Sequence, residues 1–399
     1  MTDARLSAAL MGHATHPDAH MALALAAAQL EAQRAGRPGF EARLGLLYLT
    51  EAYAGQAEAL LDEIRQRWPG LQVAGTVGVG IAAAGVEYWD EPALALLLLD
   101  LPAEQFRVFS GRHPLDGEAP WTALVHADPA TQDLSELVGE MAARTGSGQL
   151  FGGVASARNR AVQLANGVFA GGLSGVAFGP GADLVSRMTQ GCQPIGPTRT
   201  VTAAERNLVL TLDEQPALLF LLKDLGMRLS EPDPLMQRLR SVLAGLTDAG
   251  DADRARGGQF GVDTRVRHLV GLDPTRQAVA IADWVEPGQQ LAFCQRDVEM
   301  ARRDLVRICA EIRDELAGDE EAGVPARRPV GALYISCTGR GGGHFGGPSA
   351  ELQIVRHALG DVPLVGFFAA GEIAGRHLVG YTGVLTVFAA PDAPEDAAG

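Results

Sequence analysis

Two charged residues set in glycine-rich loops hold the clearest chemical promise of this chain. Arg340 lies in Cys337-Thr338-Gly339-Arg340-Gly341-Gly342-Gly343-His344-Phe345-Gly346-Gly347, directly after the apolar run Ala332–Ser336. Glu372 follows a second apolar run in Leu364-Val365-Gly366-Phe367-Phe368-Ala369-Ala370-Gly371-Glu372-Ile373. A guanidinium holds a carboxylate through two parallel hydrogen bonds, and a carboxylate holds an ammonium group, so the pair matches the two ends of an amino acid. A glycine loop that opens into a helix also turns backbone N–H groups toward an anion. Phe345 and Phe367 are candidates for the apolar wall of such a pocket, and Gly371 belongs to its second loop. The bland alternative is that the two charges bind each other, or that Arg340 caps the C-terminus of a helix.

Further candidates surround this pair. Cys337 precedes the glycine loop near an expected helix N-terminus, which favours a thiolate, and His344 is near enough in sequence to be its base. Cys192 is the second enzyme-like residue. No thiol-hydrolase signature flanks either one, and a small buried apolar side chain is the plainer reading. Ser156, Arg158 and Asn159 supply polar groups on a link in the first half of the chain, or form a solvated turn. His344 and His377 lie beside the proposed pocket, and one neutral imidazole suffices to hold a haem. His13, His16 and His20 cluster near the N-terminus around Pro17 and read as a mobile terminal segment. A P-loop needs a lysine after its last glycine, and the only lysine is Lys223. Gly75 to Gly80 lacks the order G-x-G-x-x-G and leads into an extended stretch, so a dinucleotide site is unsupported.

The elements that must position these residues come in a recurring layout. Leu44–Leu49, a helix from about Ala54 to Trp68, Val73–Gly75 and Leu94–Leu99 form one series. Ala123–His126, a helix from about Leu134 to Arg144, Leu150–Gly153 and Gly172–Phe178 form another, and the C-terminal stretch a third. Leu47 to Gly75 and Leu124 to Gly152 each span 28 positions, and Leu333 to Gly366 spans 33, the surplus coinciding with the Gly339–Gly347 loop. Each reads as strand, helix, strand and hairpin, with a glycine at the end of the second strand. The expected class is therefore α/β, with mixed sheets covered by helices and built from repeated strand–helix–strand–hairpin modules. Between the second and third modules, Val201–Asp213 alternates like a strand and Pro216–Leu225 reads as a helix. Residues 231–258 suggest a helix flanked by exposed loops, Leu269–Val285 a hairpin turning at Leu272–Thr275, and Asp297–Leu316 a long amphipathic helix. The domain boundary falls near Pro197–Thr200, and residues 390–399 read as a loose tail.

Composition narrows the function. With 399 residues, 47% hydrophobic and 20% charged, the chain suits two globular domains. Its net charge of −15 and lack of a basic cluster argue against nucleic acid as a partner. The longest fully apolar run, Ala93–Leu99, is too short to span a bilayer, and no cationic lead into an apolar core suggests a signal peptide. Four scattered cysteines without a C-x-x-C suit a reducing compartment. A cytoplasmic protein without membrane insertion is expected.

Several of these segments resemble FIST domains. Leu364–Ile373, followed by Gly380-Tyr381-Thr382-Gly383-Val384-Leu385, resembles their C-terminal part, as does Cys337–Arg340 followed by Phe345-Gly346. Gly152-Gly153-Val154-Ala155-Ser156 and Gly191-Cys192-Gln193-Pro194-Ile195-Gly196-Pro197 resemble the N-terminal signatures. The resemblance covers about residues 20 to 390 and implies a FIST N-terminal domain over 20–198 and a FIST C-terminal domain over 199–390. It further implies an intracellular signal-transduction sensor that binds a small ligand, amino acids being the usual suggestion. Some bacterial relatives are haem proteins that sense nitric oxide and regulate histidine kinases, and animal relatives carry an F-box. This chain departs from the commoner pattern of charged residues after the arginine, having Gly341-Gly342-Gly343-His344 instead. The expectation is a non-enzymatic sensor without a cofactor that signals through a separate protein, with Arg340, Glu372, Phe345, Phe367, Gly371, Ser156, Arg158 and Cys192 as its ligand-binding residues. A haem sensor ligated by His344 or His377, and a cysteine-dependent enzyme, are the alternatives.

Overall fold

Runs such as Leu44–Thr50 and Ala93–Leu99 are buried along their whole length, which is what a strand covered on both faces requires. The computed structural model describes residues 8–228, 238–239, 241–249, 264–319 and 322–392. It divides into two compact units. One runs to Thr189 and continues over Arg302–Leu378 and from Thr382; the other is Gln190–Ala301 with Val379–Tyr381.

The first unit holds three six-stranded mixed sheets. In the first, the order is Ala9–Thr15, Ala93–Leu99, Leu44–Thr50, Gln72–Gly78, Gln163–Ala165 and Val168–Phe169. In the second it is His377–Val379, Glu372–Gly375, Leu150–Val154, Thr122–Ala127, Leu173–Phe178 and Phe106–Phe109. In the third it is Leu184–Gln190, Thr382–Pro391, Arg327–Cys337, Leu364–Ala369, Gly80–Ala83 and Val86–Trp89. The two middle strands of each sheet are parallel and flanked by antiparallel neighbours. The helices Ala57–Arg67, Leu134–Ala143 and Ala350–Leu359 connect these parallel pairs in sequence, as a parallel crossover demands.

The hairpin strands pair across modules. The strand Gly80–Ala83 pairs with Leu364–Ala369 in the third sheet. Gln163–Ala165 joins Gln72–Gly78 in the first, and Glu372–Gly375 joins Leu150–Val154 in the second. The strand glycines have a physical cause. A Cβ on Gly75 or Gly366 would sit 1.7 Å from the carbonyl oxygen of Leu47 or Tyr334, and one on Gly152 would sit 1.9 Å from that of Val125. Those oxygens belong to the parallel partners in register, so only glycine allows the approach.

Helices cover the sheets. Ala19–Ala35 starts at Asp18, whose carboxylate accepts from the His20 and Met21 amides at 2.8 and 3.1 Å. Its Leu23, Ala26 and Leu30 share a core with Leu60, Leu61 and Ile64 of Ala57–Arg67 and with Leu47, Leu49, Leu96 and Leu98 of the first sheet. The mobile terminal segment expected around His13, His16 and His20 is thereby corrected. His13 lies in the edge strand Ala9–Thr15 with Nδ1 2.5 Å from Tyr88 Oη, and His20 Nδ1 is 2.7 Å from Glu63.

The second unit corrects the expected fold class, because mixed sheets do not describe it. Arg199–Glu205, Leu208–Leu212, Ala278–Ile281, Arg265–Asp273, Val242–Thr247 and Gln290–Arg296 pair antiparallel in that order. Gln290–Arg296 also pairs with Arg199–Glu205, which closes a six-stranded barrel. The helix Ala217–Leu225 contributes Ala217, Leu218 and Leu221 to its core. The single strand expected over Val201–Asp213 is two, broken at Arg206-Asn207. Within 231–258, Val242–Thr247 is a buried strand where a helix was expected; residues 231–237, 240 and 250–258 of that span lie outside the described residues. So does most of the expected tail, from 393 onward. No helix among the described residues is long and apolar enough to cross a membrane.

Candidate functional site

Strand periodicity places Tyr334 and Ser336 on one face of Arg327–Cys337, and both side chains reach the same carboxylate. That carboxylate is Glu351, on the first turn of Ala350–Leu359. It accepts from Tyr334 Oη at 2.7 Å, Ser336 Oγ at 2.9 Å and Arg340 Nε at 2.8 Å. Arg340 Nη2 lies 2.7 Å from the same oxygen. Arg340 and Glu351 are both only 1% exposed. The Phe345 ring covers the guanidinium, its centroid 5.1 Å from Cζ.

Glu372 adjoins this cluster from the second sheet and is fully buried. Its Oε2 accepts from Thr382 Oγ1 at 2.6 Å and Thr382 N at 3.2 Å, and the Cys337 thiol bonds to the same carboxyl group. Burial pushes the Glu372 carboxyl up to about 8, opposed by the Thr382 donors and by the nearby charge of Arg340. Three polar atoms here lack an aligned hydrogen-bond partner, Arg340 Nη1, Arg340 Nη2 and Glu372 Oε1, although Nη2 keeps its ion-pair distance to Glu351. Buried polar atoms without a hydrogen bond are costly and uncommon.

The other expected site residues are placed as follows. Phe367 is stacked on Tyr48 at 5.3 Å and meets His126 edge-on at 5.9 Å. Gly371 is buried and its carbonyl accepts from Val154 N at 2.8 Å. Ser156 Oγ accepts from Val79 N at 3.1 Å and donates to the Phe368 carbonyl. Arg158 is exposed and pairs with Glu51 and Asp90. Cys192 lies in the barrel unit. The structure thus brings Arg340, Phe345 and Glu372 together, and gives Phe367, Ser156 and Arg158 partners within the protein. Arg340 pairs with Glu351, so the bland alternative in which Arg340 and Glu372 bind each other does not describe the guanidinium.

Sequence reasoning missed Glu351, Tyr334, Ser336 and Thr382. The signal for Glu351 was present: it shares the buried face of its helix with Leu352 and Val355, a place where an acid requires a partner. His126 was considered only as the end of a strand. It is fully buried, its Nε2 lies 3.1 Å from Tyr48 Oη, and burial pushes its pKa down to about 3.

Clefts occur elsewhere on the first unit. One of about 330 Å³ is lined by residues including Met11, Gln33, Leu352 and Arg356, one of about 350 Å³ by Leu30, Phe40 and Trp68, and an open one of about 830 Å³ by Val306, Arg313 and His357. None includes Arg340 or Glu372. Arg340, Glu351 and Glu372 form an enclosed polar cluster. Neither His344 nor His377 lines any of the three clefts. The His344 ring packs edge-on against Phe345, and His377 Nε2 lies 3.3 Å from Arg376 Nε. Among the described residues no group of three or more His, Cys, Asp or Glu side chains is arranged to hold a metal ion.

Three mixed sheets with exchanged hairpins, a barrel nested in the chain and a buried arginine–glutamate cluster define a two-unit α/β protein. Its family is the one that the loops suggested. The FIST N domain matches residues 43–215 and the FIST C domain matches residues 217–375, so the chain belongs to the FIST family. It is similar along nearly its whole length to mycobacterial proteins. The uncharacterized protein Rv0628c of Mycobacterium tuberculosis is 31% identical over 409 residues, which cover 95% of this chain and 98% of that protein. The uncharacterized protein Mb0898c of Mycobacterium bovis is 30% identical over the same coverage.

Proposed function

We propose that this chain is a cytoplasmic, non-enzymatic sensor that binds a small amino-acid-like ligand at Arg340 and Glu372 and signals through a separate protein. Membership of the FIST family agrees with a sensory role. The observation that carries the site is the set of buried atoms without a hydrogen-bond partner, Arg340 Nη1 and Nη2 and Glu372 Oε1, of which only Nη2 has an ion-pair neighbour, Glu351. Arg340 Nη1 would take the ligand's carboxylate, Glu372 its ammonium group, and Phe345 would line the apolar side.

The architecture supports a role for Glu372 beyond packing. We read the three sheets as copies of one module. In each, the residue after the strand glycine faces a hairpin residue: Thr76 faces Gln163, Gly153 faces Glu372, and Phe367 faces Ile81. Ile81 meets the packing need of this position, so the fold itself does not demand an acid there. Entry of a ligand requires the Gly341–Gly347 loop to move. That loop is held by the Gly342 amide on Glu87 at 2.9 Å and by Arg302 on the Phe345 carbonyl.

A Glu372 carboxyl near 8 is mostly protonated at neutral pH and must lose its proton to receive an ammonium group. Ligand binding is therefore expected to release up to one proton and to tighten as pH rises toward 8. Thermal-shift screening of amino acids and simple carboxylates, then calorimetry in buffers of different ionisation enthalpy, tests this. Glu372→Gln should abolish the proton release, and Arg340→Ala should weaken binding by roughly 30- to 5,000-fold, the range for truncating one member of a buried charged contact. Unchanged affinity in a folded Arg340→Ala chain would overturn the site. A saturable one-to-one Soret band on titration with haemin would favour the haem reading instead.

A further inference from the structure

Cys192 stands in the Gly191–Pro197 stretch of the barrel unit, and the ligand site proposed at Arg340 and Glu372 does not include it. The short strand Cys192–Pro194 runs antiparallel to Gln290–Arg296, with Cys192 opposite Arg296 and Pro194 opposite Cys294. The two cysteines are therefore diagonal neighbours across the Gln193–Gln295 pair and share one face of the sheet. Backbone bonds hold the register on both sides, Ile195 N to the Phe293 carbonyl at 2.9 Å and Asp297 N to the Gly191 carbonyl at 3.0 Å. Burial and the adjoining Cys192 thiol hold the Cys294 thiol well above its ordinary value. They pack with Leu243, Val266 and Tyr381 in a small apolar cluster. The other two thiols have different surroundings: Cys309 is buried on Val298–Leu316, and Cys337 faces Glu372.

We propose that Cys192 and Cys294 are an oxidation site, closing a reversible disulfide when the chain meets a small uncharged peroxide. Diagonal neighbours on antiparallel strands stand about 7–8 Å apart at Cα, just beyond the usual span of a disulfide, so closure draws the short Cys192–Pro194 strand toward Gln290–Arg296, and the two side chains already share one face and one apolar cluster. Cys192 is 5% exposed and Cys294 is 0% exposed, so Cys192 is the sulfur that the oxidant reaches first. Its thiolate attacks one peroxide oxygen; the O–O bond breaks, and the departing hydroxide leaves as water with the proton that Cys192 gave up. The resulting sulfenic acid is then attacked by the Cys294 sulfur. The S–O bond breaks, and this second hydroxide leaves as water with the Cys294 proton. Two thiols are oxidised to one disulfide while one peroxide is reduced to two waters. Burial pushes the Cys294 thiol well above its ordinary value, which makes the second step the slower one. The product staples the Cys192–Pro194 strand to the barrel strand Gln290–Arg296. This site is independent of the ligand reading.

The test is made on the full-length reduced chain, exposed to hydrogen peroxide near pH 8 and quenched. Thiols are then counted under denaturing conditions, followed by intact mass and peptide mapping. The expected result is loss of two of the four thiols, a mass lower by two hydrogens, a Cys192–Cys294 linked peptide, and full recovery with dithiothreitol. In Cys294→Ser the resolving thiol is gone, so Cys192 should be trapped as a sulfenic acid by dimedone. Four surviving thiols, a link through Cys309 or Cys337, or Cys192 driven to sulfinic acid with Cys294 still reduced would each overturn the proposal. If Cys294→Ser does not fold, the peptide map of the unaltered chain decides alone.

Discussion

Glu372 and His126 are both fully buried ionisable groups, and they bias stability with pH in different windows. Glu372 holds its proton in the folded chain up to about 8 but loses it near 4.5 once unfolded. The folded state binds more protons between those values, so this group's contribution is complete below 4.5 and is lost as pH rises toward 8. His126 is neutral in the folded chain down to about 3 but protonates near 6.5 when unfolded. Its contribution is complete above 6.5 and is lost as pH falls toward 3. Urea titrations at several pH values should show both slopes; Glu372→Gln should flatten the decline between 4.5 and 8, and His126→Asn the decline below 6.5. A slope unchanged in either variant refutes that assignment. At this scale the sequence disclosed the charges but not their partners. Arg340 and Glu372 stood out because glycine surrounds them, whereas Glu351 read as one more acid on an amphipathic helix. Its pairing with Arg340 depends on the direction of that helix across the sheet, which residue spacing does not encode.

The strand glycines are the element-scale counterpart. Gly366→Ala would set a methyl group 1.7 Å from the Tyr334 carbonyl, a backbone atom that cannot turn aside. It should cost about 3 kcal/mol or more and release the Leu364–Ala369 strand from its parallel partner. Gly343→Ala meets no atom within 4 Å and should stay within about 0.5 kcal/mol of the unaltered chain. Equal denaturation midpoints for the two variants would show that the close approach is not what the glycine serves. These positions were readable because a glycine recurs at the end of the second strand of each series, and the register sets Gly75, Gly152 and Gly366 opposite Leu47, Val125 and Tyr334. The barrel was not readable. Its strands are short and Val242–Thr247 sits among polar residues, so the local period did not separate strand from helix.

At the scale of the molecule, the exchanged hairpins tie distant segments into one cooperative unit. A fragment of residues 1–198 lacks the Leu364–Ala369 strand that Gly80–Ala83 pairs with, and the Glu372–Gly375 strand that borders Leu150–Val154. Expressed alone, it should show no cooperative unfolding transition and should bind a hydrophobic dye; co-expression with residues 199–399 should restore the transition. A fragment that melts cooperatively would show that those pairings are dispensable. The pairing order also has a consequence for synthesis. The Gly80–Trp89 hairpin leaves the ribosome about 275 residues before its partner strand does, a wait of roughly 15 to 60 seconds at ordinary elongation rates. Throughout that interval a growing polypeptide carries an open, mostly apolar edge of the kind that seeds aggregation, and a nascent-chain chaperone is the natural guardian of it.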